Sequence, residues 1–272
     1  MAGFEFEKWQ GLGNDFIIAA ADVCSESEGR AWAQRLCPAH WGVGADGLIF
    51  ALPGQADQSQ LTMEIFNADG TVAAMCGNGI RCLAAWAWAR GLVSKADFAI
   101  STRAGVKRVS VRSAESESWA VEVEMGVPAL AGRETVELSD GRSLRSYLVN
   151  TGNLHRVVVW SGDASGGHEW LRKLDVEAEG QRLASSSVGD CNVEFIVAQE
   201  RELTMRVCEL GVGETLACGT GACASVFAAR SANLSGAEVT VLLRGGALGI
   251  RIDSSQRIYM CGPAVRVFQG IC

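Results

Sequence analysis

The feature that most constrains the fold of this chain is a tetrapeptide pattern that occurs once in each half. Residues 76–79 read Cys-Gly-Asn-Gly and residues 218–221 read Cys-Gly-Thr-Gly, and each precedes an alanine-rich apolar run of helical length. Glycine permits a close approach to the backbone, and the first turn of a helix leaves its N–H groups without intrahelical partners. Each tetrad therefore predicts a helix N-terminus that can hold an anion. Two copies predict two related structural units.

A cysteine opens each tetrad, and its position suggests acid-base chemistry. Helix N-termini can lower a thiol pKa from about 8.5 into the range of roughly 3.5 to 7.5, which predicts that Cys76 and Cys218 favour the thiolate. A thiolate can remove a proton from one face of a carbon while a thiol supplies one to the other face. The pair thus indicates inversion of a carbon beside a bound carboxylate, and this chemistry demands no electron-sink cofactor. The later cysteines Cys82 and Cys223 lie inside the apolar runs and are predicted to be structural.

Composition limits the class of partner. The chain has 272 residues, of which 48% are hydrophobic, so it can bury an ample core in one large or two medium domains. Its net charge of -7 argues against nucleic acid and acidic membrane surfaces, because both reward clustered Lys and Arg. A small-molecule substrate fits better. The sequence leaves open whether the chain forms a homodimer.

The ten cysteines indicate a reducing compartment rather than a disulfide framework. They are spread through a chain too large to need stapling, and the absence of a Cys-X-X-Cys pair makes a zinc site a weak hypothesis. The first ten residues alternate apolar and charged positions and do not resemble a signal segment. No apolar run approaches the roughly twenty residues of a membrane helix. We expect a cytoplasmic protein without a metal.

Periodicity and turn residues predict an α+β chain. We expect helices over 28–36 and from 78 to about 89, and a polar hairpin loop over 113–118. Strands are predicted over 4–8, 16–20, 46–52, 61–67, 98–102, 106–112, 119–124, 147–150, 156–160, 203–208, 237–243, 249–253 and 264–268. The boundary between the two lobes is placed at about residue 125.

Several further motifs carry a resemblance to a known family. They are GLGNDF at 11–16, GADGLI at 44–49, FNADGTVAAMCGNGIRC at 66–82, GNLH at 152–155, NVEF at 192–195 and GVGETLACGTGA at 211–222. In this order they resemble diaminopimelate epimerase, a cofactor-independent amino-acid epimerase of bacterial lysine and cell-wall synthesis. The third and last motifs are highly specific, and the match extends over nearly the whole chain.

The resemblance implies a fold and a set of site residues. It implies two pseudo-symmetric lobes, each a mostly antiparallel sheet or barrel wrapped around a central helix. Residues 1–125 form the first lobe, completed by a strand at 263–272, and residues 126–262 form the second. The implied catalytic residues are Cys76, Cys218, His155 and Glu209. The implied substrate-binding residues are Asn14, Asn67, Gly77, Asn78, Asn153, Asn192, Gly219 and Thr220.

The departures from the family pattern concern the substrate. Leu210 stands where the family carries an arginine that binds the distal carboxylate of the substrate, Leu154 replaces a usual proline, and Cys208 replaces a common aromatic residue. A bidentate charge-assisted contact at position 210 would be missing. The family default predicts conversion of LL-diaminopimelate to meso-diaminopimelate. The alternative is a related racemase for an amino acid without a distal carboxylate, such as histidine.

Two other classes of protein remain as alternatives. Proline racemase-like enzymes also use paired cysteines, but they usually carry His after the first Cys-Gly, where this chain has Asn78. A non-catalytic redox or metal-binding protein would also account for many cysteines. Its zinc content, measured by mass spectrometry, would distinguish it from an epimerase.

Overall fold

The computed structural model describes residues 4–55 and 58–272. The chain divides into two compact units of similar size. Unit 1 comprises residues 1–124 and 261–272, and unit 2 comprises residues 125–260. Among the described residues, none of the helices combines the length and the apolar character needed to span a bilayer.

Unit 1 holds two helices among short strands. Its elements are β1 (Glu5–Gly11), β2 (Asn14–Ala20), α1 (Glu26–Leu36), β3 (Gly47–Pro53), β4 (Leu61–Asn67), β5 (Val72–Ala73), α2 (Gly77–Ala89), β6 (Asp97–Thr102), β7 (Gly105–Glu115) and β8 (Ser118–Gly126). Helix α1 begins with a capping box, in which Ser25 and Glu28 each accept from the other's backbone N–H.

Unit 2 contains three helices. Its elements are β9 (Ala129–Glu137), β10 (Ser143–Asn150), β11 (Leu154–Val159), α3 (Ala164–Lys173), α4 (Val176–Leu183), β12 (Ser185–Ser186), β13 (Gly189–Asp190), β14 (Asn192–Ala198), β15 (Glu202–Glu209), β16 (Gly213–Glu214), α5 (Gly219–Ser231), β17 (Glu238–Leu243) and β18 (Gly246–Ile252). The last strand, β19 (Ile258–Ile271), belongs to unit 1 from Cys261 onward.

The strands of unit 1 pair in a closed ring. Strand β1 pairs with β2 and β19, β2 with β3, β3 with β4, β4 with β6, β6 with β7, β7 with β8, and β8 with β19. The β2–β3 and β4–β6 pairs are parallel. A ring of this kind is a barrel, and the alanine-rich helix α2 contacts β1, β2, β3 and β7.

Unit 2 repeats the strand pairing of unit 1 with the same directions. The order β9-β10-β11-β14-β15-β17-β18 has parallel pairs only at β11–β14 and β15–β17, and it matches β19-β1-β2-β3-β4-β6-β7 strand for strand. Helix α5 contacts β10, β11, β14, β15, β17 and β18, as α2 does the strands of its own unit. The predicted fold class, a mostly antiparallel sheet around a central helix in each of two units, is confirmed.

Small side chains explain why these two helices can lie against so many strands. From Gly77 to Ala87 every residue of α2 is buried, and most of α5 is buried as well. A helix buried on all sides has to be mostly apolar all round, which the alanine-rich runs provide. Asn78 and Arg81 are buried polar exceptions in α2. Cys82 and Cys223 are fully buried in these helices, as expected for the structural role predicted for them.

The structure differs from the predicted elements in several places, and two long strands, β9 (Ala129–Glu137) and β14 (Asn192–Ala198), form where no strand was predicted. Helices α3 and α4 form where no helix was predicted; the side chains of Asp163 and Asp175 cap them by accepting from Gly166 N and Ala178 N. The predicted hairpin loop at 113–118 is wrong in extent, because β7 continues to Glu115 and β8 starts at Ser118. Ser116 makes the tight turn with a φ of 54°.

Candidate active site

Cys76 and Cys218 occupy equivalent places in the two units. Each is the N-cap residue of its alanine-rich helix and has an extended backbone. The Cys76 Sγ accepts a hydrogen bond from Gly79 N at 3.5 Å. The Cys218 Sγ instead lies 3.5 Å from the Thr220 hydroxyl. Gly77 and Gly219 are the first residues of α2 and α5, so both tetrads mark helix N-termini, as the sequence predicts.

A polar cluster surrounds the thiol in unit 1. Asn14 Oδ1 accepts from the Cys76 thiol at 3.7 Å and from Asn78 Nδ2 at 3.2 Å. The Asn14 amide in turn donates to Asp46 Oδ2 at 2.6 Å, and Asp46 also accepts from Asp15 N. The structure therefore brings Asn14, Cys76 and Asn78 together, and it adds Asp46, which sequence reasoning missed although it lies in the GADGLI motif.

A tight hairpin turn places Asn14 in this cluster. Leu12 and Gly13 have φ values of 59° and 83°, which suit the two central positions of a turn between β1 and β2. Gly13 N donates to Gln10 Oε1 at 3.0 Å and closes the turn. Asn14 is consequently fixed as the first residue of β2.

Among the described residues, no hydrogen bond joins Asn67 to the cluster around Cys76. It ends β4, is exposed, and donates from Nδ2 to the Thr71 hydroxyl at 2.9 Å. Its backbone N–H donates to Thr71 O at 2.8 Å. In the paired order of strands, Asn67 at the end of β4 corresponds to Glu209 at the end of β15.

A buried cation lies next to the tetrad of unit 1. The Arg81 side chain is fully buried within α2, donates to Gly77 O at 3.2 Å, and donates to Pro263 O at 3.3 Å. Its positive charge opposes the burial effect that raises the pKa of the neighbouring Cys82 thiol to about 12. Sequence reasoning assigned no role to Arg81.

The thiol in unit 2 is buried near two carboxylates. The pKa of Cys218 is raised well above the ordinary thiol value, first by burial and then by the carboxylates of Glu209 and Glu194. The hydrogen bond from Thr220 acts in the other direction but is outweighed. The prediction that the helix N-terminus favours the thiolate is therefore wrong for Cys218, because a helix terminus contributes only about 0.3–2 kcal/mol. This residue is held as a thiol.

Glu194 and His155 form a buried hydrogen-bonded pair beside Cys218. Both side chains are fully buried, and His155 Nδ1 lies 2.6 Å from Glu194 Oε1. The other ring nitrogen, Nε2, lies 3.1 Å from Asn153 Oδ1, so Asn153 and His155 are brought together. Burial raises the pKa of Glu194, against the lowering effect of His155. Sequence reasoning missed Glu194, although it lies in the NVEF motif.

The group formed by His155, Glu194 and Cys218 is also the one that most resembles a metal site among the described residues. One potential ligand atom from each lies within 4.8 Å of the others. Two ligands at about 2.0 Å from a tetrahedral zinc lie roughly 3.3 Å apart. The Nδ1 to Oε1 distance of 2.6 Å is too short for that. The side chains are arranged to bond to each other rather than to an ion.

Glu209 and Asn192 lie at the ends of neighbouring strands in unit 2. Glu209 Oε1 accepts from the Thr215 hydroxyl at 2.6 Å. Asn192 Oδ1 accepts from Leu210 N at 2.9 Å, and Asn192 pairs in register with His155. The Leu210 side chain is half exposed, and Val212 beside it is more so. An apolar surface thus follows Glu209 where the family resemblance implies an arginine.

Solved structures share this fold. A PhzF family phenazine biosynthesis protein from Bacillus anthracis has a TM-score of 0.74 at 18% identity, with 100% of this chain and 99% of that chain covered. A hydroxyproline epimerase from Agrobacterium vitis, with bound trans-4-hydroxy-L-proline, has a TM-score of 0.70 at 12% identity, covering 100% and 93%. The fold is the two-lobe fold of these proteins, with a barrel-like sheet and few helices.

Sequence comparisons define the class more closely. The family model for diaminopimelate epimerase matches residues 6–131 and 147–267. The diaminopimelate epimerase of Desulfitobacterium hafniense is 38% identical over 98% of this chain and 97% of its own length. Diaminopimelate epimerase 1 of a Nostoc species is 40% identical, with 98% of each chain covered. The chain is thus an isomerase of the epimerase and racemase class. It belongs to the diaminopimelate epimerase family.

Proposed function

We propose that this protein inverts the α-carbon of an amino acid with two thiols and without pyridoxal phosphate. The observation that carries the proposal is that Cys76 and Cys218 are N-cap residues of equivalent helices in two units with the same strand order. One thiol from each unit would act on opposite faces of the same carbon. The helix N-termini, through Gly77, Asn78, Gly219 and Thr220, would bind the α-carboxylate and stabilise the charge that develops when the proton leaves.

Inversion removes one proton from one face of the α-carbon and delivers one proton to the opposite face. A thiolate at Cys76 takes the α-hydrogen as a proton and becomes a thiol, while the electron pair stays on the carbon. Cys218 then gives its proton to the opposite face and becomes a thiolate. The reverse reaction exchanges the two roles, so inversion itself changes no net charge in the protein.

The surroundings of the two thiols support this division of roles. Arg81 places a buried positive charge against the carbonyl of Gly77, next to Cys76. Glu194 and Glu209 place negative charge near Cys218 and raise its pKa. A positive charge favours a thiolate and a negative charge favours a thiol. We therefore propose that Cys76, once it has lost the proton that it donates to Asn14 Oδ1, is the first base, and that Cys218 is the first acid.

The proposed substrate is LL-diaminopimelate, with meso-diaminopimelate as product. This rests on the family of the relatives, whose names specify diaminopimelate. The amides of Asn67, Asn153 and Asn192 and the carboxylate of Glu209 supply hydrogen-bonding groups for its polar ends. Glu209 would bind an ammonium group, since the carboxylate carries the complementary charge.

A second candidate substrate is an amino acid without a distal carboxylate, such as histidine. The exposed Leu210 favours it, because a leucine cannot donate hydrogen bonds to a carboxylate. The nearby Arg206 does not take over that role. It is bound to Glu214 at 2.7 and 2.8 Å and to the carbonyls of Leu171 and Leu174.

Exchange of the α-proton in deuterium oxide, followed by NMR, tests both candidates. The panel is diaminopimelate, histidine, glutamate, lysine and proline. Exchange on diaminopimelate alone supports the first candidate, and exchange on histidine or another amino acid of the panel instead supports the second. A protein that exchanges none of them with both thiols reduced would overturn the proposed function.

A further inference from the structure

Glu194 and His155 stand out when the two units are compared position by position. Strand β14 corresponds to β3 and strand β11 to β2, and the register aligns Asn192, opposite His155, with Gly47, opposite Phe16. The third residue of each strand is then Glu194 in unit 2 and Ile49 in unit 1. The same fold therefore places apolar Phe16 and Ile49 where unit 2 has His155 and Glu194, and all four residues are buried.

The glycines of the two tetrads confirm the equivalence. A Cβ on Gly79 would lie 3.1 Å from Cδ1 of Ile49, whereas a Cβ on Gly221 would lie 2.4 Å from Oε1 of Glu194. Each side chain thus contacts the second glycine of its tetrad. Glu194 is in this way placed directly against the first turn of α5, which Cys218 caps.

The core of unit 2 does not require the His155–Glu194 pair for its packing. Replacing a buried charged pair by well-packed apolar residues is often neutral or even stabilising. Unit 1 shows that this fold accepts the apolar pair. Moreover, Oε2 of Glu194 is buried and has no hydrogen-bond partner among the described residues, which costs stability. The pair is retained in unit 2 at a cost, next to one of the two proposed reacting thiols.

The hydrogen bonds fix how many protons the pair holds. Asn153 Oδ1 is an acceptor, so His155 Nε2 carries a hydrogen that it donates. The 2.6 Å contact between Nδ1 and Oε1 contains one more proton. That proton makes either an imidazolium with a carboxylate or a neutral imidazole with a carboxylic acid. The pair is neutral in both forms, but Glu194 carries a negative charge only in the first.

We propose that Glu194 is a positioning residue for Cys218, and that the proton it shares with His155 moves to the carboxyl group when Cys218 becomes a thiolate. With the proton on His155, the charged Glu194 keeps Cys218 as a thiol and therefore as a proton donor. Once Cys218 has given up its proton, transfer from Nδ1 to Oε1 neutralises the carboxylate that lies against the first turn of α5, and the imidazolium loses its charge in the same step. No proton enters or leaves the pair. This rests on the proposed role of Cys218.

Other charged and titratable groups act on the same pair and thiol. Glu209, on β15, contributes negative charge near both Glu194 and Cys218. The thiols of Cys191 and Cys208 also respond to the charge of Glu194. A test must therefore change Glu194 while leaving these groups in place.

The test measures how fast iodoacetamide alkylates Cys218 at a series of pH values. Mass spectrometry of the peptide that contains Cys218 gives the rate at each pH, and the pH at which the rate is half its maximum is the alkylation midpoint. Glu194→Gln keeps the shape of the side chain but cannot carry its charge. We expect its alkylation midpoint to fall by about one pH unit, which corresponds to about tenfold faster modification near neutral pH. Glu179→Gln is the matched control, because Glu179 is also buried in unit 2 but bonds to Ser139 N and Arg182. Its midpoint should equal that of the unsubstituted protein.

Two outcomes would overturn the proposal. One is an unchanged midpoint in Glu194→Gln, and the other is a midpoint for Cys218 in the unsubstituted protein at or below the usual thiol value of about 8.5. The second measurement needs no variant and holds even if Glu194→Gln does not fold. Alkylation requires no amino-acid substrate. Absence of turnover would thus count against the proposed function and leave the test of Glu194 intact.

A double variant separates function from packing. His155→Phe with Glu194→Ile copies the apolar pair of unit 1. We expect the free energy of unfolding to stay the same or rise. At the same time kcat should fall at least about 100-fold, which is the usual contribution of general acid-base catalysis. A kcat within about threefold of the unsubstituted protein would show that the pair is merely structural.

Discussion

Oε1 of Glu194 lies 2.6 Å from Nδ1 of His155, and neither side chain is accessible to solvent. The corresponding positions in unit 1 hold Ile49 and Phe16, which are also buried. The two units have the same fold, but only unit 2 has a titratable pair, His155 and Glu194, at these positions next to the tetrad. Because both copies have to bury a core but need not do the same chemistry, the difference points to function in unit 2.

Removing either tetrad cysteine should abolish most of the activity. In Cys76→Ser and in Cys218→Ser we expect kcat for α-proton exchange to fall by about 10²–10⁴-fold, the usual contribution of a general acid or base. A hydroxyl is far less acidic than a thiol, so serine cannot replace either group. The measurement is the rate of deuterium incorporation by NMR.

The matched control for this pair is Cys24→Ser. Cys24 is half buried, and its thiol donates to Ser25 O, at a place that the proposal leaves without a role. Its rate should stay within about twofold of the unsubstituted protein. Retention of full activity in either tetrad variant would exclude a two-thiol mechanism.

Replacing Leu210 by arginine should improve the use of diaminopimelate. A charge-assisted hydrogen bond contributes about 1.5–3 kcal/mol, so KM for diaminopimelate should fall by about 10-fold or more in Leu210→Arg. Leu210→Met is the control, because it changes shape without adding a donor. Steady-state kinetics with both variants check this. Equal KM values for arginine and methionine at position 210 would mean that this residue does not face the distal end of the substrate.

Replacement by alanine should cost more stability at Gly221 than at the equivalent Gly79. A Cβ at position 221 would lie 2.4 Å from Glu194 Oε1, which is held by His155. A Cβ at position 79 would lie no closer than 3.1 Å to its neighbours, the nearest of which are the flexible ends of Ile49 and Met63. Overpacking costs about 1–3 kcal/mol, so Gly221→Ala should lower the free energy of unfolding by that amount more than Gly79→Ala does. Denaturant unfolding of both variants measures this difference. Equal stability would contradict the tight contact.

Stability should depend on pH through Glu214. Burial alone would raise the pKa of this carboxyl, but hydrogen bonds from Arg206 and the charges of Arg206 and Arg244 lower it overall. A lowered pKa stabilises the folded state above the unfolded value of about 4.3, and the effect is lost as the pH falls through the folded pKa. Glu214→Gln should therefore cost about 1–3 kcal/mol at pH 7 and progressively less below pH 4.

Urea unfolding of Glu214→Gln and the unsubstituted protein at pH 7 and at acid pH measures that dependence. Glu169→Gln is a suitable comparison, because Glu169 bonds to Lys173 at an exposed position. Exposed pairs contribute little to stability because solvent screens them. A difference for Glu214→Gln that stays constant from pH 7 to pH 3 would contradict the prediction.

Some elements could be read from local sequence and others could not. The strand over Leu61–Asn67 and the helix that starts after Cys76 follow from apolar alternation, glycine and alanine content. Helices α3 and α4 escaped prediction because the stretch is short and contains several glycines, which are poor helix formers. Packing of Trp170, Leu171, Val176 and Leu183 into the core of unit 2 stabilises them instead.

The sequence by itself determined the two helix N-termini and the thiols at their caps, because glycine, cysteine and an alanine run act within a few residues of one another. It also identified the family and the departure at Leu210. Only the tertiary structure decided the state of Cys218, since its pKa depends on burial and on Glu194 and Glu209, which are distant in sequence. Glu194 was missed for the same reason, because its partner His155 lies on another strand and is 39 residues away in the sequence.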